Sequence, residues 1–248
     1  MADAAAPLSS QPQEIGSFAR LIGVLVNPRP TFESIVRRPT WVVPIALGCV
    51  LFITVVAIFS VRGGWPAFFE RQDAKSSRFQ QLSQQQQDDT LKTQIKIAPT
   101  FAYVEGVVVP ILAAVVVAAV LLGVFNLSGS TSVNFNTALG IVAYAWTPWL
   151  IHGLVSILIL FLKDPSTVDL QNLVASNPGA LLSDDAPKWL TSLLTSFDIF
   201  AVWTMILLAI GFSSANPKKL SFGKALSMVV AVWLFFVIAK VGLTSLFS

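Results

Sequence analysis

From Trp41 to Val61 the chain runs almost unbroken through apolar residues, and four more such stretches follow, near 103–126, 137–162, 189–213 and 223–247. A helix rising 1.5 Å per residue needs about 20 mainly apolar residues to cross a hydrocarbon core of about 30 Å. All five stretches (the first near 41–61) are long enough. Hydrocarbon offers no water to the backbone N–H and C=O groups, so segments of this length must bond internally, as helices. The expected fold class is all-α, a polytopic integral membrane protein with about five transmembrane helices.

Composition agrees. Only 12% of the 248 residues are charged and 54% are hydrophobic, with a mean hydropathy of +0.73. Soluble domains carry about 25% charged residues, so this chain has too few to cover a water-facing surface. Cys49 is the single cysteine, so neither an internal disulfide nor a CxxC site can form. A net charge of +3 argues against nucleic acid as a partner. The start, "MADAAAPLSSQPQE", has no basic region followed by an apolar one and reads as a disordered cytoplasmic tail over 1–16. The membrane domain then covers 17–248.

Lys and Arg in short flanking loops set orientation. Arg20, Arg29, Arg37 and Arg38 precede the first span, and Lys218, Lys219 and Lys224 lie between the fourth and fifth. After the third span, Lys163 and Lys188 face Asp164, Asp169, Asp184 and Asp185. These loops place the N-terminus in the cytoplasm and the C-terminus outside. The long loop 62–100 opposes them with Arg62, Arg71, Lys75, Arg78, Lys92 and Lys96, diluted by Glu70, Asp73, Asp88 and Asp89. The short loops carry more weight, which makes 62–100 an outer loop. Its Gln-rich run (Gln84 to Gln87), with apolar points at Trp65, Phe68, Phe69, Phe79, Leu82 and Leu91, fits either disorder or a solvated helix.

Ahead of the first span, Phe18, Leu21, Ile22 and Leu25 fall at i, i+3, i+4 and i+7, the stripe of an amphipathic helix. Pro30 at a helix start, then Phe32, Ile35 and Val36, repeats the pattern. Two short helices are expected here, lying in the membrane interface or packed against the bundle. Pro39 ends the second, and Trp41 marks the headgroup level.

"NPRPTFESIVRRPTWVVPIAL" (27–47) resembles the opening of the Yip domain of Ypt/Rab-interacting proteins, in its bacterial branch. The matching positions are Pro28 and Phe32 on the amphipathic helix and Pro44 in the first span. "VAYAWTPWL" (142–150) is similar to the family's third span through Tyr144 and Pro148. "SFDIFAVWTMILLAIGF" (196–212) is similar to the fourth through Asp198, Phe200, Trp203 and Gly211. The resemblance implies five membrane helices and a multi-pass protein of the cell (inner) membrane. Eukaryotic members bind Rab GTPases, but their Asp-Leu-Tyr-Gly-Pro motif is replaced here by "GVLVNPRP", so that role does not carry over.

No Walker loop, GxGxxG, HExxH or GxSxG is present, and one histidine cannot build a multi-His metal site. "NLSGSTS" (126–132) reads as a turn, because no base lies near it in sequence. No catalytic residue, cofactor or metal site is expected. What remains is Glu105, His152, Asp198 and Lys240, all inside spans, where a charge costs about 2.5–3.5 kcal/mol even on an insertion scale. Asp198 and Lys240 are each expected roughly 10–14 Å below the outer surface, on antiparallel neighbours, with His152 near that depth and Glu105 entering the second span from the same side, so that all four fall in the outer half. Either they pair to fix register, or the four line a polar cavity for an ion, proton or ligand, or Asp198 caps a helix that starts there. Thr191 and Thr195 lie on the Asp198 face, Thr244 on the Lys240 face, and Tyr144, Pro148, His152 and Ser156 form a second stripe.

Small residues (Ala114, Ala118, Ala119, Gly123) in the second span permit close helix contact within the chain or between two copies. The functional expectation is a non-enzymatic protein of membrane organisation or partner scaffolding, in contact with the bilayer and with a protein partner at its cytoplasmic N-terminal region. The alternative is a small transporter or channel built on the four-residue cluster.

Overall fold

The computed structural model describes residues 16–74, 76–183 and 186–246. The expected tail falls outside these residues except for Gly16, as do Lys75, Asp184, Asp185 and the last two positions. Every regular element described is helical. Four helices are long and apolar enough to cross a membrane, and a bent pair makes a fifth span if counted as one.

Two short helices come first, α1 (Ser17–Val26) and α2 (Pro28–Arg37). Pro28 takes the first helical position of α2, where its missing N–H costs nothing. The two helices cross closely: a Cβ on Gly23 would lie 2.5 Å from Thr31 Oγ1. Helix α3 (Val42–Val61) follows, carrying Pro44 within its first turn. Its end is set by Gly63 at φ +71°, a left-handed position that glycine adopts without steric cost. There Gly63 N–H bonds Ser60 O and Gly64 N–H bonds Phe59 O, the pairing of a Schellman cap.

The connection 62–100 is largely helical among its described residues. After α4 (Trp65–Ala74) and α5 (Ser77–Gln80), a single helix α6 runs from Gln84 to Leu127. Its 44 residues make it about 66 Å long, twice the hydrocarbon thickness. Ser83 and Gln86 start it with a reciprocal capping box, and its first turns are exposed. The expected second span, 103–126, is therefore the second half of a helix whose first half is solvated. The loop's aromatic points also find a use: Trp65 and Phe68 pack on Phe59 at 5.2 and 6.4 Å and Phe69 packs on both of them, a small core shared with Leu160 and Val168.

The third span is α7 (Phe135–Ala145) and α8 (Thr147–Leu162), divided at Trp146 because Pro148 has no N–H for the carbonyl of Tyr144. Thr147 Oγ1 donates to that carbonyl instead, at 2.6 Å. The expected fourth span is also interrupted: α9 (Lys188–Leu194) and α10 (Ile199–Ala215) meet at 47°. Helix α11 (Phe222–Leu246) completes the bundle.

The main core lies where α2 inserts between α7 and α10. Phe32, Ile35, Ile141, Tyr144 and Phe212 are fully buried, and Phe125 of α6 stacks on Phe212 at 4.4 Å. A Cβ on Gly211 would meet Ile141 at 2.4 Å and Phe32 at 3.0 Å, so only glycine allows this approach. Of the two arrangements expected for α2, packing against the bundle is the one found. The surface around the spans stays apolar, with Leu112, Leu154, Leu158, Phe235 and Ile238 exposed, as lipid contact requires.

Truncating Phe32 to alanine should lower stability by about 3–5 kcal/mol, read as a fall in unfolding temperature in detergent. Phe235→Ala on the lipid face should change it little. Equal losses would mean that α2 is not part of the core.

Candidate functional site

The four intramembrane ionisable residues fall into two groups. Asp198 and Lys240 lie at the break in the fourth span, on opposite sides of it. A broken helix leaves unbonded C=O groups at the end of α9 and unbonded N–H groups at the start of α10. Asp198 is 7% exposed and caps α10, accepting from Phe200 N–H at 2.8 Å. Its other oxygen accepts from Ser176 Oγ and, at 3.5 Å, from Asn177 Nδ2. Ser176 O in turn accepts from Ile199 N–H, so the loop after α8 plugs the break.

Lys240 serves the other side. Its Nζ donates to Ser192 O at 3.4 Å and to Ser196 Oγ at 3.3 Å, with Thr244 Oγ1 on Ser192 Oγ at 3.3 Å. A cation thus meets the carbonyl end of α9 and an anion the amide end of α10, each matching the helix dipole it faces. Among the described residues no ion pair joins Asp198 to Lys240, although both border one small pocket. The capping role is the one of the three arrangements that the geometry displays for Asp198.

Glu105 and His152 form the second group, on opposing walls of a cleft of about 970 Å³. The floor is α3, one wall is α6, the other is α8, and α4 closes one end. Both residues sit at one level of the bundle. Gly106 abuts Phe52, ten residues into the twenty of α3, and Gly153 abuts Leu51. The His152 ring is held by Trp149 at 5.3 Å and by Phe200 at 5.2 Å, with Ser156 Oγ 3.5 Å from Nδ1. Phe200 thereby joins the cleft wall to the cap at Asp198.

Arg20, which at the sequence level counts only as a topological charge, is 5% exposed. Its guanidinium donates to Arg38 O at 2.9 Å, to Ser34 Oγ at 3.1 Å and to Thr40 Oγ1 at 3.1 Å. Thr40 Oγ1 is 3.2 Å from Tyr144 Oη. Four pieces of chain (α1, the end of α2, the turn into α3, and α7) therefore meet at one cation. The sequence hint is its place one turn before Val24 and next to Leu21, which puts all three on the helix face that turns inward.

The α1 stripe divides correspondingly. Leu21 and Val24 face the core, while Phe18, Ile22 and Val26 are 67%, 65% and 76% exposed. The turn at 126–132 is a hydrogen-bonded turn, with Ser128 Oγ on Phe125 O and Thr131 Oγ1 on Asn126 Oδ1, around Gly129 at φ +66°.

Because Asp198 and Lys240 share no partner, their contributions should add. Asp198→Ala should cost about 0.5–2 kcal/mol as a lost cap. The double variant with Lys240→Met should lose the sum of the single losses within about 0.5 kcal/mol, measured by thermal unfolding. A double variant more stable than Asp198→Ala alone would show a direct pair.

The positions that resemble a family are also those that build this architecture: Phe32, Tyr144 and Gly211 in the core, Pro148 at the kink, Asp198 at the cap, Phe200 between cap and cleft. No curated protein and no solved structure matches the chain significantly. A family profile does: the Yip1 domain aligns with residues 22–243, from within α1 to near the end of α11. The chain belongs to the Yip1 domain family of multi-pass membrane proteins.

Proposed function

We propose that this protein is a non-enzymatic organiser of the membrane, working from its N-terminal end. The observation that carries this is the double apolar face of α1: Leu21 and Val24 anchor it to the bundle while Phe18, Ile22 and Val26 point away. A helix fixed on one side and apolar on the other, beside the exposed Val42 at the start of α3, suits the headgroup–acyl boundary. Arg29 and Arg37 are exposed at the same end, and each basic residue near an anionic surface contributes about 1 kcal/mol of attraction. The Lys and Arg bias of the short loops supports a cytoplasmic position for this end and an outer one for the end of α11. Inserted into one leaflet only, α1 acts as a shallow wedge on the inner face of the cell membrane. The same surface is available to a protein partner. A transport role has less support, since Asp198 and Lys240 are committed to helix ends.

Protein reconstituted into vesicles containing anionic lipid should narrow them or draw them into tubes, as seen by cryo-electron microscopy of vesicle diameters. Phe18→Asp with Ile22→Asp should abolish the effect while leaving the unfolding temperature unchanged. A reporter fused after Leu246, active only outside the cytoplasm, should be active. Wild-type vesicles of unaltered diameter, or remodelling that survives both substitutions, would sink the wedge; an inactive reporter would reverse the orientation.

A further inference from the structure

The cleft between α6 and α8 has a chemistry that neither helix packing nor a wedge at α1 requires. Its floor runs along α3 from Pro44 to Val56, about 18 Å at the helical rise, and so extends through somewhat more than one leaflet of a core of about 30 Å. Its volume of about 970 Å³ is that of a large ligand pocket. The lining is aromatic as well as aliphatic, with Phe52, Phe101, Trp146 and Trp149 among its residues.

The charge of this lining is one-sided. Among the described residues that border the cleft, Glu105 is the one carboxylate, and there is no lysine or arginine; the other polar groups are His152, two glutamines, a serine and the indole N–H groups of three tryptophans. Arginines from the α4 end are occupied elsewhere, Arg62 on the carbonyls of Leu160 and Lys163, Arg71 on that of Val168. A carboxylate lining an apolar cleft of a membrane bundle is costly unless a cation or donor meets it. Aromatic faces carry negative potential and attract the same kind of group, most of all an alkylammonium. His152 stands on the opposing wall. An anionic head would instead face Glu105, and a zwitterionic phospholipid would bring its phosphate there.

We propose that the α6–α8 cleft is a binding site for a hydrophobic cation: an amphiphile whose ammonium-type head is held by Glu105 and the aromatic walls, with its apolar body along α3. Entry is from the bilayer, since Phe101 and Trp149 on the two walls are themselves exposed.

The test uses the full-length protein in nanodiscs of zwitterionic lipid and measures equilibrium binding of radiolabelled tetraphenylphosphonium. Binding should be saturable and displaced by dodecyltrimethylammonium, but not by dodecanoate or dodecanol of the same chain length. Glu105 is exposed, so Glu105→Gln leaves the packing intact; it should weaken binding at least tenfold with an unchanged unfolding temperature. Gly48→Leu, on the cleft floor where a Cβ has Leu150 as its nearest neighbour at 3.8 Å, should weaken it by filling space. The Phe18→Asp, Ile22→Asp variant should bind like wild type, which separates this site from the wedge. Displacement by dodecanoate or dodecanol as effective as by the ammonium would make the cleft an apolar slot for lipid chains. That result, unchanged affinity in Glu105→Gln, or no saturable binding at all, would overturn the proposal.

Discussion

A buried guanidinium organises the N-terminal half of this protein. Removing a cation from water costs several kcal/mol, so Arg20 is tolerable only because its surroundings replace that water. They do so with the carbonyl of Arg38 and, at longer range, of Ser34, both at the negative end of the α2 dipole, and with the hydroxyls of Ser34 and Thr40. Hydrogen bonds to a charged group are worth about 1.5–3 kcal/mol each, so several together offset the desolvation. Nε remains buried without a hydrogen-bond partner. The consequence is geometric. With Arg20 held, α1 cannot roll about its axis, so Leu21 and Val24 stay inside and Phe18, Ile22 and Val26 stay outside.

The same economy of backbone groups governs the fourth span. A helix broken at mid-protein exposes unbonded amides and carbonyls to a medium that cannot bond them. Asp198 and Lys240 are costly charges in isolation, yet here each meets one set of these orphan groups. The break brings Phe200 against His152 and so sets the wall of the cleft. Structural and functional readings of these residues are thus joined: the charges that hold the break open also shape the space beside it.

The spans were legible because their length is a direct physical requirement. Other features were not. Hydropathy marks where α6 crosses the bilayer but says nothing of its solvated first half, whose glutamines suit a helix as well as a coil; the sequence signal was the Ser83–Gln86 box. Periodicity grouped Phe18, Leu21, Ile22 and Leu25 as one stripe, because spacing cannot tell a face on protein from a face on lipid when both are apolar. Depth along the helix brought Asp198 and Lys240 together and Glu105 and His152 with them, whereas which side of a helix each faces depends on the kink at Pro148 and the 47° bend. Arg20 was hidden in plain view, since an arginine before a span is ordinarily a surface charge.

If α1 works as a wedge, it rests in the membrane interface with its outer face in lipid. A spin label at Ile22→Cys, in protein carried by nanodiscs, reports this through collisions with oxygen, which concentrates in hydrocarbon, and with a water-soluble nickel chelate. Native Cys49 is buried, which leaves the introduced thiol as the reactive one. Controls at Phe235→Cys on the lipid face of α11 and at Gln86→Cys on the solvated start of α6 bracket the scale. The expected result is oxygen-dominated relaxation at residue 22, close to that at residue 235. Nickel-dominated relaxation like that at residue 86 would place α1 in water and contradict the membrane role.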